Sequence, residues 1–306
     1  MKKTNIVLIV GIIILIGIGV YFFIKNSPSA PVVESPVTTD TTTETNKTPE
    51  VAIKEPVDTT KTVLGVSVEK HDITAYHYGT GAKELLFVGG IHGGYEWNTV
   101  LLAYELMDYL TANPTAIPAN LKVTVIPVLN PDGLNKVVGT AGRFAKADVS
   151  TSQDTVISGR FNANTVDLSR NFDCDWQPKG QWMTTTVSGG SKAFSEPESI
   201  AFKNYIEAHN PTVAVVWYSS AGGVFSSSCN KGVVAPATKV LTDTYATASK
   251  YKAYTSYDFY KTTGDMVNWL AKKNIPAISV LLTTHQDTEW DKNLAGIKAL
   301  LKYYAK

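Results

Sequence analysis

With 306 residues, 44% of them hydrophobic, the chain is long enough to bury one large core. Its formal net charge of +1 gives no electrostatic bias toward nucleic acid, so a nucleic-acid partner is not expected. Two cysteines, Cys174 and Cys229, are too few for a disulfide scaffold and lack the paired spacing of a zinc finger; outside the cytosol they could form one bridge.

In chain order, Lys2 and Lys3 precede an uncharged run from Ile6 to Ile24. Nineteen residues at the helical rise come to about 28 Å, the thickness of a bilayer's hydrocarbon core. The run is longer than a signal-peptide core, and Ser29-Ala30 followed by Pro31 is a poor cleavage context, so it reads as an uncleaved transmembrane anchor. The leading lysines would leave residues 1–5 as a cytoplasmic tip and place the rest of the chain outside the cell membrane. From 25 to 60 the chain is rich in Thr, Pro, Val and Glu, without periodicity, and reads as a disordered linker.

The globular part is expected over 61–306. Val63–Val68 and Ile73–Tyr78 alternate like short antiparallel strands, and Leu85–Val88 is a continuous apolar strand of the buried kind. Two glycines stop that strand, and His92 and Glu96 follow in a tight turn, where an α/β protein keeps its chemistry. They are a nitrogen and an oxygen ligand of the kind Zn²⁺ takes, although a histidine and a glutamate at such a turn also form an ordinary hydrogen-bonded pair. A helix follows, with Val100, Leu101, Tyr104, Met107 and Leu110 on one face, ending before Pro114. Leu121–Leu129 is a further strand, closed by the turn Asn130-Pro131-Asp132-Gly133. The stretch 139–190 reads as a long loop, of a length that is functional or disordered.

Beyond it, Ser195 as N-cap and Pro197 open a helix that runs to about Ala208. A strand over Pro211–Tyr218, a helix over Pro236–Tyr251, a short helix over Gly264–Ala271, a buried strand over Ala277–Leu282 and a closing helix over Asp287–Tyr304 complete the pattern. In the last helix Trp290, Leu294, Ile297 and Leu301 fall in register. Strands alternating with helices predict a single α/β domain: a mixed, mostly parallel sheet with helices on both faces.

Five ordered segments carry a resemblance to a known family: Gly90-Ile91-His92 with Glu96-Trp97; Asn130-Pro131-Asp132-Gly133; Val166-Asp167-Leu168-Ser169-Arg170-Asn171-Phe172; Phe194-Ser195-Glu196-Pro197-Glu198; and Tyr260-Lys261-Thr262-Thr263-Gly264-Asp265. From about Val63 to Tyr304 the chain resembles the zinc carboxypeptidases of the carboxypeptidase A type. The resemblance implies one zinc ion held by His92 and Glu96 and a free peptide carboxylate clamped by Arg170 beside Ser169. It also implies an oxyanion steadied by Arg160 and a mobile Tyr260 that closes over the substrate. Without it, each arginine would read as a surface ion pair and Tyr260 as a packing residue.

The departures bear on the chemistry. Three residues, Gly93, Gly94 and Tyr95, separate His92 from Glu96 where the family has two, and Ser169 stands where it usually has an asparagine. The family's third ligand is a histidine at the end of the strand Ala214–Ser220, which holds none, so the third protein ligand is unidentified. Leu281 best matches the catalytic glutamate, and leucine cannot move a proton. His285, just past that strand, is the substitute base or ligand, with Asp287 and Glu289 behind it. His209 falls at the wrong end of its strand, and His71 and His77 lie in the early antiparallel pair. Two functions follow: a membrane-anchored extracytoplasmic metallocarboxypeptidase acting on peptides or cell-wall peptide stems, or a binding module that has lost hydrolysis and still grips a peptide carboxylate. The sequence carries no signal for an oligomeric state.

Overall fold

The computed structural model describes residues 60–229 and 232–306. The expected anchor at 6–24 and the expected linker up to 59 lie outside the described residues, and among those described no helix is long and apolar enough to cross a membrane.

Among the described residues ten strands form: β1 (Lys61–Val66), β2 (Asp72–Tyr78), β3 (Lys83–Val88), β4 (Leu121–Ile126), β5 (Lys179–Trp182), β6 (Thr185–Ser188), β7 (Val213–Ser219), β8 (Gly223–Ser226), β9 (Lys252–Tyr254) and β10 (Ala277–Leu282). Seven α-helices join them: α1 (Trp97–Ala112), α2 (Pro131–Val138), α3 (Gln153–Ser158), α4 (Pro197–His209), α5 (Pro236–Ser249), α6 (Met266–Lys272) and α7 (Trp290–Tyr304). Eight strands make one sheet in the order β1-β2-β4-β3-β7-β10-β8-β9, and β5 and β6 pair separately as a hairpin. The central strands β4, β3, β7 and β10 run parallel, and β1, β2 and β8 pair antiparallel around them. This is the mixed, mostly parallel sheet the sequence predicts.

Buried parallel strands explain the two cores. Leu85, Phe87, Val213, Val215, Trp217, Ile278 and Val280 point to one face, under α1, α5 and α7. Their neighbours Leu86, Val88, Ala214, Val216, Tyr218 and Leu281 point to the other, under α4 and α6. Burying each large apolar side chain stabilises the fold by about 1.5–3 kcal/mol, so the largely apolar strands β3, β7 and β10 hold the centre.

Several elements differ from expectation. The segment after β4 is not a turn closing a long strand: β4 ends at Ile126 and Asn130 caps a helix, its side chain accepting from Gly133 N at 2.9 Å. Pro131 at its first turn and Gly139 at φ +76° beyond its end fix both limits of that helix. The expected loop over 139–190 contains α3 and the β5–β6 hairpin. Helix α4 starts one residue later than a Ser195 cap implies, with Glu196 at the cap position and Ser195 Oγ donating to the Glu196 carboxylate at 2.7 Å. In α7 the inward face is Asn293, Gly296, Ile297, Leu300 and Leu301, and Leu294 is only half-buried. Likewise Leu101 of α1 is half-buried while Leu102 and Leu106 are fully buried, because α1 lies between sheet and loops and has two apolar sides.

Candidate functional site

The carboxyl ends of β3, β7 and β10 open into a cavity of about 1140 Å³. Its lining includes His92, Tyr95, Glu96, Arg160, Ser169, Arg170, Tyr218, Ser219, Tyr260, Leu281 and His285. The sequence-derived candidates His92, Glu96, Arg160, Ser169, Arg170, Tyr260 and His285 are thus brought to one place. His209 is not among them; it stacks on Tyr205 with ring centres 4.1 Å apart. His77 bonds Thr124 Oγ1 at 3.1 Å and Thr62 Oγ1 at 2.9 Å.

The strand β3 delivers His92. Past Val88 the chain enters a short 3₁₀ turn over Gly93–Glu96, which folds Glu96 back against His92 four residues earlier. Glu96 Oε1 lies 2.8 Å from His92 Nδ1, with both side chains almost fully buried. Gly93 makes the turn possible: its φ is +45°, and a Cβ there would stand 2.6 Å from Gly159 O.

Around this pair two arginines and a carboxylate close a network. Arg160, 2% exposed, donates from Nε and Nη2 to Asp167 Oδ2 at 3.0 and 2.8 Å. Its Nη1 comes 3.2 Å from His92 Nδ1 and 4.0 Å from Glu96 Oε1. On the far side His92 Nε2 meets Ser169 Oγ at 2.8 Å and Asp167 Oδ1 at 3.4 Å. Burial alone would raise the Asp167 carboxyl, but the guanidinium groups of Arg160 and Arg170 outweigh it and hold it well below the usual carboxylate range.

Arg170 is equally engaged. Nη1 donates to Ser169 O and Ser169 Oγ, each at 2.8 Å, while Nε and Nη2 donate to Gln181 O at 3.1 and 2.9 Å. The planar fork that would take a carboxylate therefore faces a main-chain carbonyl of the β5–β6 hairpin. The same hairpin lays Trp182 over Arg160, 4.6 Å from guanidinium carbon to ring centre, and Trp182 meets Tyr95 edge-on at 5.1 Å. Tyr260 stands beside Arg170, with 5.9 Å between guanidinium carbon and ring centre.

The two departures at the strand ends face each other. Leu281 of β10 pairs with Tyr218 of β7, and the Tyr218 ring is 5.5 Å from that of His92. Burial, with Asp265 and Glu96 nearby, pushes the Tyr218 phenol up, and burial raises the Asp265 carboxyl that caps α6. Tyr218 Oη and Glu96 Oε2 are buried without a hydrogen-bond partner.

As a zinc site the residues present do not fit. His92 and Glu96 supply one nitrogen and one carboxylate; a phenol takes the third side, and Arg160 Nη1 lies against the nitrogen that would face the ion. Among the described residues, Glu69, His71 and Asp132 do bring ligand atoms within 4.8 Å of one another. That group lies elsewhere: Glu69 and Asp132 line a separate cavity of about 580 Å³, with His71 Nδ1 at 2.9 Å from Asp132 Oδ1.

Sequence reasoning missed Asp167, Tyr95 and Trp182. Asp167 lies in the segment Val166–Phe172, three residues before Arg170, where an acidic residue close to an arginine is signal enough. Trp182 lay in a stretch without periodicity and gave none. Cys174 and Cys229 are joined in a disulfide.

Residues 46–292 match the family model described as zinc carboxypeptidase. The gamma-D-glutamyl-L-diamino acid endopeptidase 1 of Lysinibacillus sphaericus is 23% identical over 219 residues, 65% of this chain and 54% of that protein, so the match spans about half the relative's length. Among solved structures, the murein-tripeptide amidase of Escherichia coli O157 is similar with a TM-score of 0.56 at 21% identity, covering 79% of this chain and 91% of that one. Carboxypeptidase A of Helicoverpa armigera is similar with a TM-score of 0.59 at 18% identity, covering 80% and 67%. At these identities the structural likeness speaks for the fold.

Proposed function

The chain belongs to the zinc carboxypeptidase family, and from that premise we propose a membrane-anchored, extracytoplasmic protein that binds peptides or the peptide stems of cell-wall material without hydrolysing them. One observation carries this reading: the strand ends that face His92 and Glu96 present Tyr218 and Leu281, neither a third nitrogen ligand nor a carboxylate base. The cavity and its arginine pair keep the means of binding. In this reading a ligand's terminal carboxylate reaches Arg170 by exchanging with Gln181 O, and Tyr260 packs against it. The names of the relatives, an endopeptidase of gamma-D-glutamyl-L-diamino acid bonds and a murein-tripeptide amidase, favour cell-wall peptides as the ligand class. The apolar run at 6–24 supports a single-pass anchor, and the Cys174–Cys229 disulfide suits an oxidising compartment outside the cytosol.

The test is calorimetry of the purified full chain with murein tripeptide, before and after exhaustive chelation, alongside metal analysis. Binding that survives chelation, with no product released, is the expected result. A second reading, hydrolysis with zinc on His92 and Glu96, has in its favour the unpartnered Glu96 Oε2 and Tyr218 Oη, two buried oxygens of the kind a cation would satisfy. Stoichiometric zinc that is lost on His92→Ala, together with cleavage of the tripeptide, would establish that reading and overturn ours.

A further inference from the structure

Past β10 the chain turns back over the cavity and carries His285 to its wall, where the imidazole lies 4.7 Å from the Tyr95 ring centre. Which of its nitrogens bears the proton follows from two buried neighbours. Asn98 of α1 is fully buried, and its amide nitrogen donates to Thr284 O at 2.8 Å and Asp287 O at 2.9 Å. Both amide hydrogens are thereby used, so Asn98 Oδ1 is fixed pointing the other way, where Ser219 Oγ stands 3.0 Å off. A carbonyl oxygen only accepts, so the single Ser219 hydroxyl proton goes to Asn98. Ser219 Oγ can then serve its second neighbour, His285 Nδ1 at 2.9 Å, only as acceptor.

We propose that Asn98 and Ser219 are positioning residues that lock His285 in the tautomer protonated on Nδ1, so that Nε2 presents a lone pair to the cavity as the acceptor for an N–H group of the bound peptide. This rests on the reading of the cavity as a peptide site. Burial, which outweighs the nearby Glu96 carboxylate and is reinforced by His92 and Arg160, pushes the His285 imidazole down and favours its neutral form. Of the other ionisable groups on the cavity wall, the arginine forks donate, and the acceptors Glu96, Asp175, Asp258 and Asp265 are carboxylates. An amide or ammonium of the ligand needs an acceptor, and a neutral imidazole meets that need without adding charge beside Glu96 and Asp167.

The experiment is a two-bond proton–nitrogen correlation on the full chain labelled at its 5 histidines, with the His285 signals assigned by their loss in His285→Gln. The wild type is expected to show His285 protonated on Nδ1 alone at neutral pH, and Ser219→Ala to populate the opposite tautomer. With murein tripeptide as the probe, Ser219→Ala and His285→Phe should each weaken binding by about five- to tenfold, the loss of one buried hydrogen bond. The wild-type spectrum decides the lock even if Ser219→Ala fails to fold: a proton on Nε2, or an imidazolium at pH 7, overturns it. Unchanged affinity in a folded Ser219→Ala that has lost the tautomer overturns the acceptor role. A wild type with the stated tautomer that binds no tripeptide overturns the peptide reading and takes the acceptor role with it, whereas binding with the wrong tautomer overturns the lock alone.

Discussion

Replacing Arg160 by Met should cost about 3 kcal/mol of folding stability, because it strips a buried carboxylate of its main partner. Arg160 is 2% exposed and Asp167 0% exposed, and the two hydrogen bonds between them at 3.0 and 2.8 Å are out of reach of water. Removing one member of a buried pair costs about 3–5 kcal/mol, since the survivor keeps its desolvation penalty. Asp167 would retain bonds from Ser169 N at 3.1 Å and Ser169 Oγ at 2.7 Å, which places the loss at the low end of that range. Methionine keeps a stem of similar length but not the guanidinium that stacks on Trp182, a loss that the double variant below shares. Equilibrium urea unfolding of the full chain at pH 7 measures the change, with Arg160→Met/Asp167→Leu as the control. That double variant removes both charges and should lose less than Arg160→Met alone. A loss below about 1 kcal/mol in Arg160→Met, or a double variant that loses the sum of the two single changes, would refute the buried-network account.

Cys174→Ser with Cys229→Ser opens a loop with a sequence separation of 55 and should cost about 4 kcal/mol by loop-closure entropy, read as a lowered denaturation midpoint that a reductant reproduces in the wild type. Burial lowers the His77 and His285 imidazoles in the folded chain, so the unfolded chain binds more protons as pH falls through the unfolded value near 6.5. Stability should therefore be full above that value and decline as pH drops through the lowered folded values; His77→Gln should flatten the decline, and a midpoint that rises on acidification between pH 7 and 5 would contradict it. Tyr218→His with Leu281→Glu restores a third nitrogen and a carboxylate to the strand ends and should raise zinc affinity at least tenfold by calorimetry, with no gain expected from Leu281→Glu alone. A peptide with a free carboxylate should speed hydrogen exchange at Gly180–Trp182 by drawing Arg170 away from Gln181 O, while its C-terminal amide should not.

The parts of the fold that an apolar run dictates were legible. β3, β7 and β10 are buried on both faces and read as largely apolar runs, Leu85–Val88, Val213–Tyr218 and Ala277–Leu282 with Ser279 inside it, and their positions follow with little else. His92 and Glu96 were legible as a pair because both fall in the tight glycine-rich turn that follows the buried strand β3. What stayed hidden is tertiary. The β5–β6 hairpin has almost no apolar alternation of its own; it is held by Arg170, by Trp182 on Arg160, and by Asp167 N donating to Ser188 O at 3.0 Å. Helix α2 hid inside a turn signature, since Asn-Pro-Asp-Gly opens a helix as readily as it closes a strand when a buried face follows, here Leu134, Val137 and Val138. His285 was a candidate from its place after β10, but Asn98 and Ser219, which orient it, lie 187 and 66 residues away in sequence, and nothing local marks them.

The departures from the family pattern are consistent with one another once charge is counted. In the buried centre Glu96 and Asp167 are matched by Arg160 and Arg170, with His92 between them engaged at both nitrogens. Each of these two carboxylates has a guanidinium within 4.0 Å. A glutamate at position 281 would add a carboxylate on the strand next to Tyr218, near Glu96 and close to Asp265, whose carboxyl burial already raises. Without a divalent cation nothing would repay its desolvation, so a leucine there is the residue that the remaining charges allow. Tyr218 follows the same logic, filling the volume beside His92 with a ring that carries no charge and buries well. Ser169 completes the set: its hydroxyl donates to Asp167 and accepts from Arg170 at once. On the proposed binding role, the missing third nitrogen, the missing carboxylate and Arg160 set against His92 form one adjustment, which leaves Glu96 Oε2 and Tyr218 Oη unpartnered in the cavity wall.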